Sequence, residues 1–161
     1  MRGNMKTLLL SRYSAFFMGL SLILQSCSVN KEPAHATGRR NFQNAYMQDV
    51  NLSNLDLKYS DFSGSFLKGA NLSQINLEDS KLSKVNFQGA QLHGANLKNS
   101  DLSYADFLNA NLQNANFEGA NIEGANFRGA NVSGANFQRV KGLTDSLRQI
   151  LIQGGASVSG V

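Results

Sequence analysis

Residues 110–138 read ANLQNANFEGANIEGANFRGANVSGANFQ, with a large apolar residue at every fifth position: Leu112, Phe117, Ile122, Phe127, Val132 and Phe137. Two residues before each stands Ala, and Asn lies between. Toward the N-terminus the period runs on without a skip through Phe107, Leu102, Leu97, Leu92, Phe87, Leu82, Leu77, Leu72, Leu67, Phe62, Leu57, Leu52 and Met47 to Phe42, twenty units in all. A helix repeats at about 3.6 residues and a strand at 2, so neither keeps every fifth side chain on one side. Five is therefore the length of one side of a coiled path, and the chain turns once per unit. The central apolar residue and the small residue point inward. The other three positions, rich in Asn, Ser, Gln, Lys and Glu, face water. No unit buries its own central side chain, so stacking is required.

This pattern resembles the pentapeptide-repeat proteins, whose units read A(D/N)LXX, over residues 41–140. The resemblance implies an all-β fold: a right-handed quadrilateral β-helix with four units per coil and about five coils. Residues twenty apart then stack. Phe87, Phe107 and Phe127 fall in one column, and Leu52, Leu72, Leu92, Leu112 and Val132 in another. Lys58, Glu78, Lys98 and Glu118 make an outer column of alternating sign. Asn76, Asn96, Asn116 and Asn136 make a column whose amides can bond up and down the stack. The first units fit worst, with Arg40, Leu55 and Ser65 where Ala is usual, and Tyr46, Phe66 and Lys81 where Asn or Asp is usual. The N-terminal coils are therefore expected to be less regular.

Beyond Val140 the period stops. Residues 141–153 predict a short C-terminal capping helix, with Thr144 as N-cap, Asp145 in the first turn and Gly154 at the end. Leu143, Leu147, Ile150 and Leu151 share one face, which suits a lid over the last coil. Ile152 leaves open a second reading, a homodimer contact through the same helix. Residues 154–161 are expected to be a disordered tail.

At the other end, residues 5–27 read MKTLLLSRYSAFFMGLSLILQSC. Basic residues precede an apolar run from Ala15 to Leu24, too short to span a bilayer but suited to an export signal. Leu24-Gln25-Ser26-Cys27 resembles the bacterial lipobox. Residues 1–26 are read as a lipoprotein signal peptide starting at Met1 or Met5, Cys27 as the lipid attachment site, and residues 27–40 as a lipidated flexible tether. A plain secretory signal or an uncleaved anchor with an incidental Cys is the alternative. Lipidation would hold the chain on a membrane of the bacterial cell envelope. In lipoproteins of this kind an Asp after the Cys favours the inner membrane; Ser28 favours the outer.

Of the formal net charge of +4, Arg2, Lys6 and Arg12 lie before Cys27. The remainder is near neutral and gives no electrostatic case for nucleic-acid binding. One Cys and the distant His35 and His93 make no metal site, and no motif calls for a cofactor. Ser63, Ser83 and Ser103 have no His in register, and Asp101 and Asp106 read as variants of the Asn/Asp position. His93 reads as a solvated surface residue, and Gly89, Gly94, Gly119, Gly124, Gly129 and Gly134 as corner residues. The expectation is a protein without catalytic activity. It would be a structural or interaction module that binds an envelope protein or glycan through a flat side. The side carrying Ser53, Ser73, His93, Gln113 and Ser133, flanked by Asn54, Gln74 and Asn114, has no charge. The resemblance also implies an alternative, the DNA-mimicking inhibitor of a topoisomerase (gyrase). Such mimics display a strongly acidic surface, whereas residues 41–140 carry seven basic and nine acidic side chains.

Overall fold

The computed structural model describes residues 40–159; the stretch read as a signal peptide, Cys27, His35 and the stretch read as a tether, up to residue 39, lie outside the described residues. From Asn41 onward, the first residue of each unit pairs in parallel with the residue twenty positions on: Asn41 with Asp61, Tyr46 with Phe66, Asn51 with Asn71, Asp56 with Asn76, and so on to Asn121 with Lys141. Twenty residues therefore close one circuit of four sides. Side 1 comprises residues 41–45, 61–65, 81–85, 101–105 and 121–125. Side 2 begins five residues later (46–50 and every twenty on), side 3 at 51–55 and side 4 at 56–60.

Each unit reaches both neighbouring coils. In Asn71-Leu72-Ser73-Gln74, the Asn71 N–H donates to Val50 O at 2.8 Å, while Leu72 and Gln74 donate to Gln91 O and His93 O at 2.7 and 2.9 Å. The backbone is thus satisfied between coils, as burial demands. Corners are turns, and seventeen of the twenty are closed from the small residue back to the central one, as in Ala90 N–H to Phe87 O at 3.0 Å. The third residue of all twenty corners has positive φ, from Asn44 (54°) to Arg139 (57°). Type II turns impose this requirement. Eight of these twenty positions are Gly and seven are Asn or Asp, the residues that tolerate a left-handed backbone best.

The central side chains fill the interior. Phe87, Phe107 and Phe127 stack at 5.0 Å between ring centroids on side 2, and Phe117 stacks on Phe137 at 4.4 Å on side 4. The two columns meet edge to face across the core, with Phe107–Phe117 at 5.8 Å and Phe127–Phe137 at 5.4 Å. Ser60, Ser80 and Ser100 form a buried column in the small-residue position. Ser80 Oγ donates to Leu57 O at 3.2 Å and Ser100 Oγ to Leu97 O at 2.6 Å.

The inter-coil ladder is as continuous in the first coils as in the later ones, while the corner bonds at Val50 and Leu55 are absent, so the expected irregularity is confined to two corners of the first coil. The ladder runs through Tyr46, Phe66 and Lys81 without a break. Other bonds replace the missing amides: Tyr46 and Phe66 stack at 4.7 Å with planes 3° apart, and Lys81 pairs with Asp61 at 3.7 Å.

Helix α1 spans Asp145–Gln153, with Thr144 Oγ1 accepting from Leu147 N–H at 3.2 Å. It ends in a Schellman motif, in which Gly155 and Ala156 donate to Ile152 O and Leu151 O, both at 3.0 Å. Gly154, the C-cap, is right-handed; Gly155 takes the positive φ of 82°. Leu151 is fully buried, Leu143 and Leu147 are half-buried, and Ile150 is 53% exposed, so the expected four-residue face is only partly used.

The tail is a clearer correction. Residues 155–159 are ordered through pairing with the last coil: Gly134 N–H donates to Gly155 O at 2.9 Å and Phe137 N–H to Ser157 O at 2.7 Å. Ser159 Oγ accepts from Arg139 N–H at 3.1 Å. Their mostly small side chains carry no periodic signal. The order comes from a preformed edge that needs acceptors.

Candidate interaction surface

What a solenoid can do depends on what its sides present. The Asn/Asp position has its own local task. In all sixteen units that carry Asn or Asp first, its Oδ1 accepts the N–H of the residue two positions on, as Asn51 does from Ser53 at 3.1 Å and Asn136 from Gln138 at 3.0 Å. This is an Asx-turn bond, which ties down an outward N–H. Sequence reasoning missed it, although Asn or Asp two residues before a solvent-facing N–H is the signal for it. The Nδ2 groups bond along the stack as expected: Asn96 donates to Asn76 at 3.0 Å, Asn136 to Asn116 at 3.2 Å and Asn76 to Asp56 at 3.0 Å.

Side 4 carries the alternating charges, but few of them pair. Lys98 reaches Glu118 at 3.6 Å, and Arg139 joins the same carboxylate. Lys58 lies over the Tyr59 ring at 5.7 Å, and Glu78 accepts from Asn96 Nδ2 at 3.4 Å. On side 1, burial raises the pKa of Asp61. Hydrogen bonds from the Ser63 side chain, Ser63 N–H and Gln43, with the Lys81 charge, outweigh that effect and hold the carboxyl below the usual range.

Side 3 differs from the other three. Its units read NLSNL, NLSQI, QLHGA, NLQNA and NVSGA, without one charged residue, so all sixteen charges of residues 41–140 fall on sides 1, 2 and 4. Ser53, Ser73, His93 and Gln113 are half-buried and Ser133 is exposed, in one straight column.

The residues weighed for chemistry are kept apart. Asp101 is on side 1 and accepts from Ser103 N–H and Asn121 Nδ2, both at 3.1 Å. Asp106 is on side 2 and accepts from Leu108 N–H at 3.1 Å, Gln88 Nε2 at 2.6 Å and Asn126 Nδ2 at 2.8 Å. Both carboxylates are thus used by the scaffold. Among the described residues there is no cluster of His, Cys, Asp and Glu that could hold a metal ion, and no helix long and apolar enough to cross a membrane.

Four parallel ladders with a twenty-residue circuit define a β-solenoid of square section. The chain matches the family of pentapeptide repeats over residues 41–74, 67–99, 90–129 and 100–139, and it belongs to that family. It resembles a pentapeptide repeat protein of the Arabidopsis thaliana thylakoid lumen at 31% identity and TM-score 0.68, covering 74% of this chain and 83% of that one. Rfr23 of the cyanobacterium Cyanothece 51142 shares the fold at 20% identity and TM-score 0.52, over 74% of this chain and 88% of that one. QnrB1, a plasmid-mediated fluoroquinolone resistance protein, matches at 21% identity over 76% of this chain and 86% of that one, but its TM-score of 0.27 carries no inference. Among curated proteins, none matches. The described chain is therefore a right-handed quadrilateral β-helix followed by one short helix, a scaffold of a type that is typically non-catalytic.

Proposed function

We propose that this chain is a non-catalytic interaction module of a bacterial envelope. In this reading, a rod of about five coils, closed at its C-terminal end by α1, is held on a membrane through lipidated Cys27 and presents side 3 to a protein or glycan. The observation that carries the docking side is the absence of charge from all five units of side 3. A partner docking on ions must strip water from them at a large cost. Neutral amides and hydroxyls cost less to desolvate and offer both donors and acceptors to offset the loss. The basic start, the apolar run from Ala15 to Leu24 and the lone Cys27 support the envelope anchor.

Two measurements test the two halves separately. Cys27→Ala should abolish lipid labelling and release the protein from membranes; retention in the detergent phase despite the change would sink the anchor. For the surface, envelope fractions should yield a partner that wild type captures and that Ser73→Glu/Gln113→Glu loses. Capture unaffected by these charges would move the docking site off side 3.

A further inference from the structure

At the C-terminal end, the chain lays a further rung on three sides of the rod. On side 1, Lys141 N–H donates to Ala120 O and Lys141 O accepts from Ile122 N–H, both at 2.9 Å. On side 4, Ser157 N–H donates to Ala135 O at 2.8 Å and Ser157 O accepts from Phe137 N–H at 2.7 Å. On side 3, Gly155 O accepts from Gly134 N–H.

Side 2 has no such rung, because the residues in register for it, 146–150, are wound into α1 instead. One coil earlier, Ala105 O, Phe107 N–H and Asn109 N–H bond to Asn126 N–H, Asn126 O and Arg128 O at 2.9, 2.8 and 3.0 Å. Their counterparts Ala125 O, Phe127 N–H and Gly129 N–H have no partner among the described residues. They are the complete bonding set of one parallel rung. Beside them lies a cleft of about 490 Å³ between side 2 and α1, lined by Ile122, Ala125, Phe127, Leu147 and Ile150, with Arg128 at its edge.

We propose that this vacant rung is a docking site for an extended segment of a partner protein. The segment pairs as three residues parallel to side 2, with an apolar middle residue. Its first residue donates to Ala125 O and accepts from Phe127 N–H, and its third accepts from Gly129 N–H. In every unit the second residue points inward, so the guest's middle side chain enters the apolar cleft. Arg128, exposed and without a side-chain partner among the described residues, favours acidic residues beside that triplet. Strand addition to an open edge is a common recognition mode. Ser157 and Ser159 are already paired on side 4, so the guest is not this stretch of the chain. The site is separate from side 3 and does not depend on that reading.

The test uses the full ¹⁵N-labelled chain and the peptide Ac-Glu-Ser-Leu-Ser-Glu-NH2. The Phe127 and Gly129 amide resonances should shift saturably and slow in hydrogen exchange at least tenfold, while those of Phe107 and Asn109 stay put. N-methylation of the first Ser, whose N–H meets Ala125 O, should abolish the shifts. N-methylation of the Leu, whose N–H points away from the rod, should leave affinity within about twofold. Ile150→Lys, a change at a half-exposed position, should weaken binding at least tenfold. Equal behaviour of the two methylated peptides, or shifts that track self-association of the chain instead of peptide, would overturn the proposal.

Discussion

A corner residue in this rod is set by the residue twenty positions before it. Asn109 curls over Gly129, so that a Cβ there would lie 2.2 Å from Asn109 Oδ1; Gly64, Gly69, Gly119 and Gly134 meet Asn or Asp oxygens in the same way. Gly89 follows Gly69, and a Cβ there meets nothing within 4 Å. Both glycines have φ in the left-handed region, 69° and 64°. Gly89→Ala should therefore cost only the backbone strain, about 1–2 kcal/mol. Gly129→Ala should cost roughly 1 kcal/mol more, because the amide must be displaced. Asn109→Gly should cancel that excess in a double-mutant cycle of chemical denaturation. An excess that survives Asn109→Gly would place the cost elsewhere. The interior offers a second test. Ser65 is fully buried and its Oγ has no partner among the described residues. Ser65→Ala should raise stability by about 1 kcal/mol, read as an increase in Tm. That Ser65 stands where Ala is usual was legible in the sequence; the missing partner was not, since it depends on which carbonyls the coil turns toward Ser65.

At the scale of a side, inward and outward positions alternate within one unit, so neighbouring substitutions should differ sharply. Leu112 is fully buried among stacked leucines and Gln113 is half-buried on the outer column of side 3. Leu112→Asp should cost about 4 kcal/mol or more, an unpaired charge in an apolar column, and Gln113→Asp within about 0.5 kcal/mol. Similar thermal shifts for the two would reverse the assignment. On side 1 the Asp61 carboxyl is held below its ordinary pKa, so its contribution is present above the usual Asp range and lost as pH falls through the lowered value. Asp61→Asn keeps the Asx-turn oxygen and removes the charge. It should lower stability modestly near neutral pH, and the difference should vanish in acid. The five-residue side was legible because burial repeats with it. The twenty-residue circuit came through the family resemblance, since a period of five fixes a side but not how many sides close. The last rung could not be read at all. Residues 154–157 pair by backbone, and whether an edge is filled by tail, helix or nothing depends on the path of α1.

Over the whole rod, charge is sorted by side, and the sorting bears on whether the molecule can stand in for a nucleic acid. A mimic must match a polyanion whose attraction for proteins comes largely from neutralised phosphates. Residues 41–140 carry nine acidic and seven basic side chains, and none of them is on side 3. Two of the nine acids are in direct ion pairs, Glu118 with Lys98 and Arg139 and Asp61 with Lys81, and the other cations are spread over the same three sides. Such groups cancel one another's field within about a Debye length, roughly 8 Å at physiological salt. The protein should therefore leave gyrase supercoiling unchanged in a gel assay at concentrations where a strongly acidic rod of the same fold inhibits. Charge reversal gives the assay its direction. Lys58→Glu/Lys98→Glu would turn the side 4 column Lys58–Glu78–Lys98–Glu118 wholly acidic, and any inhibition should first emerge there and fade with added salt. Potent, salt-insensitive inhibition by the unmodified chain would mean that shape alone suffices, and the neutrality of side 3 would then lose its bearing on what the rod binds.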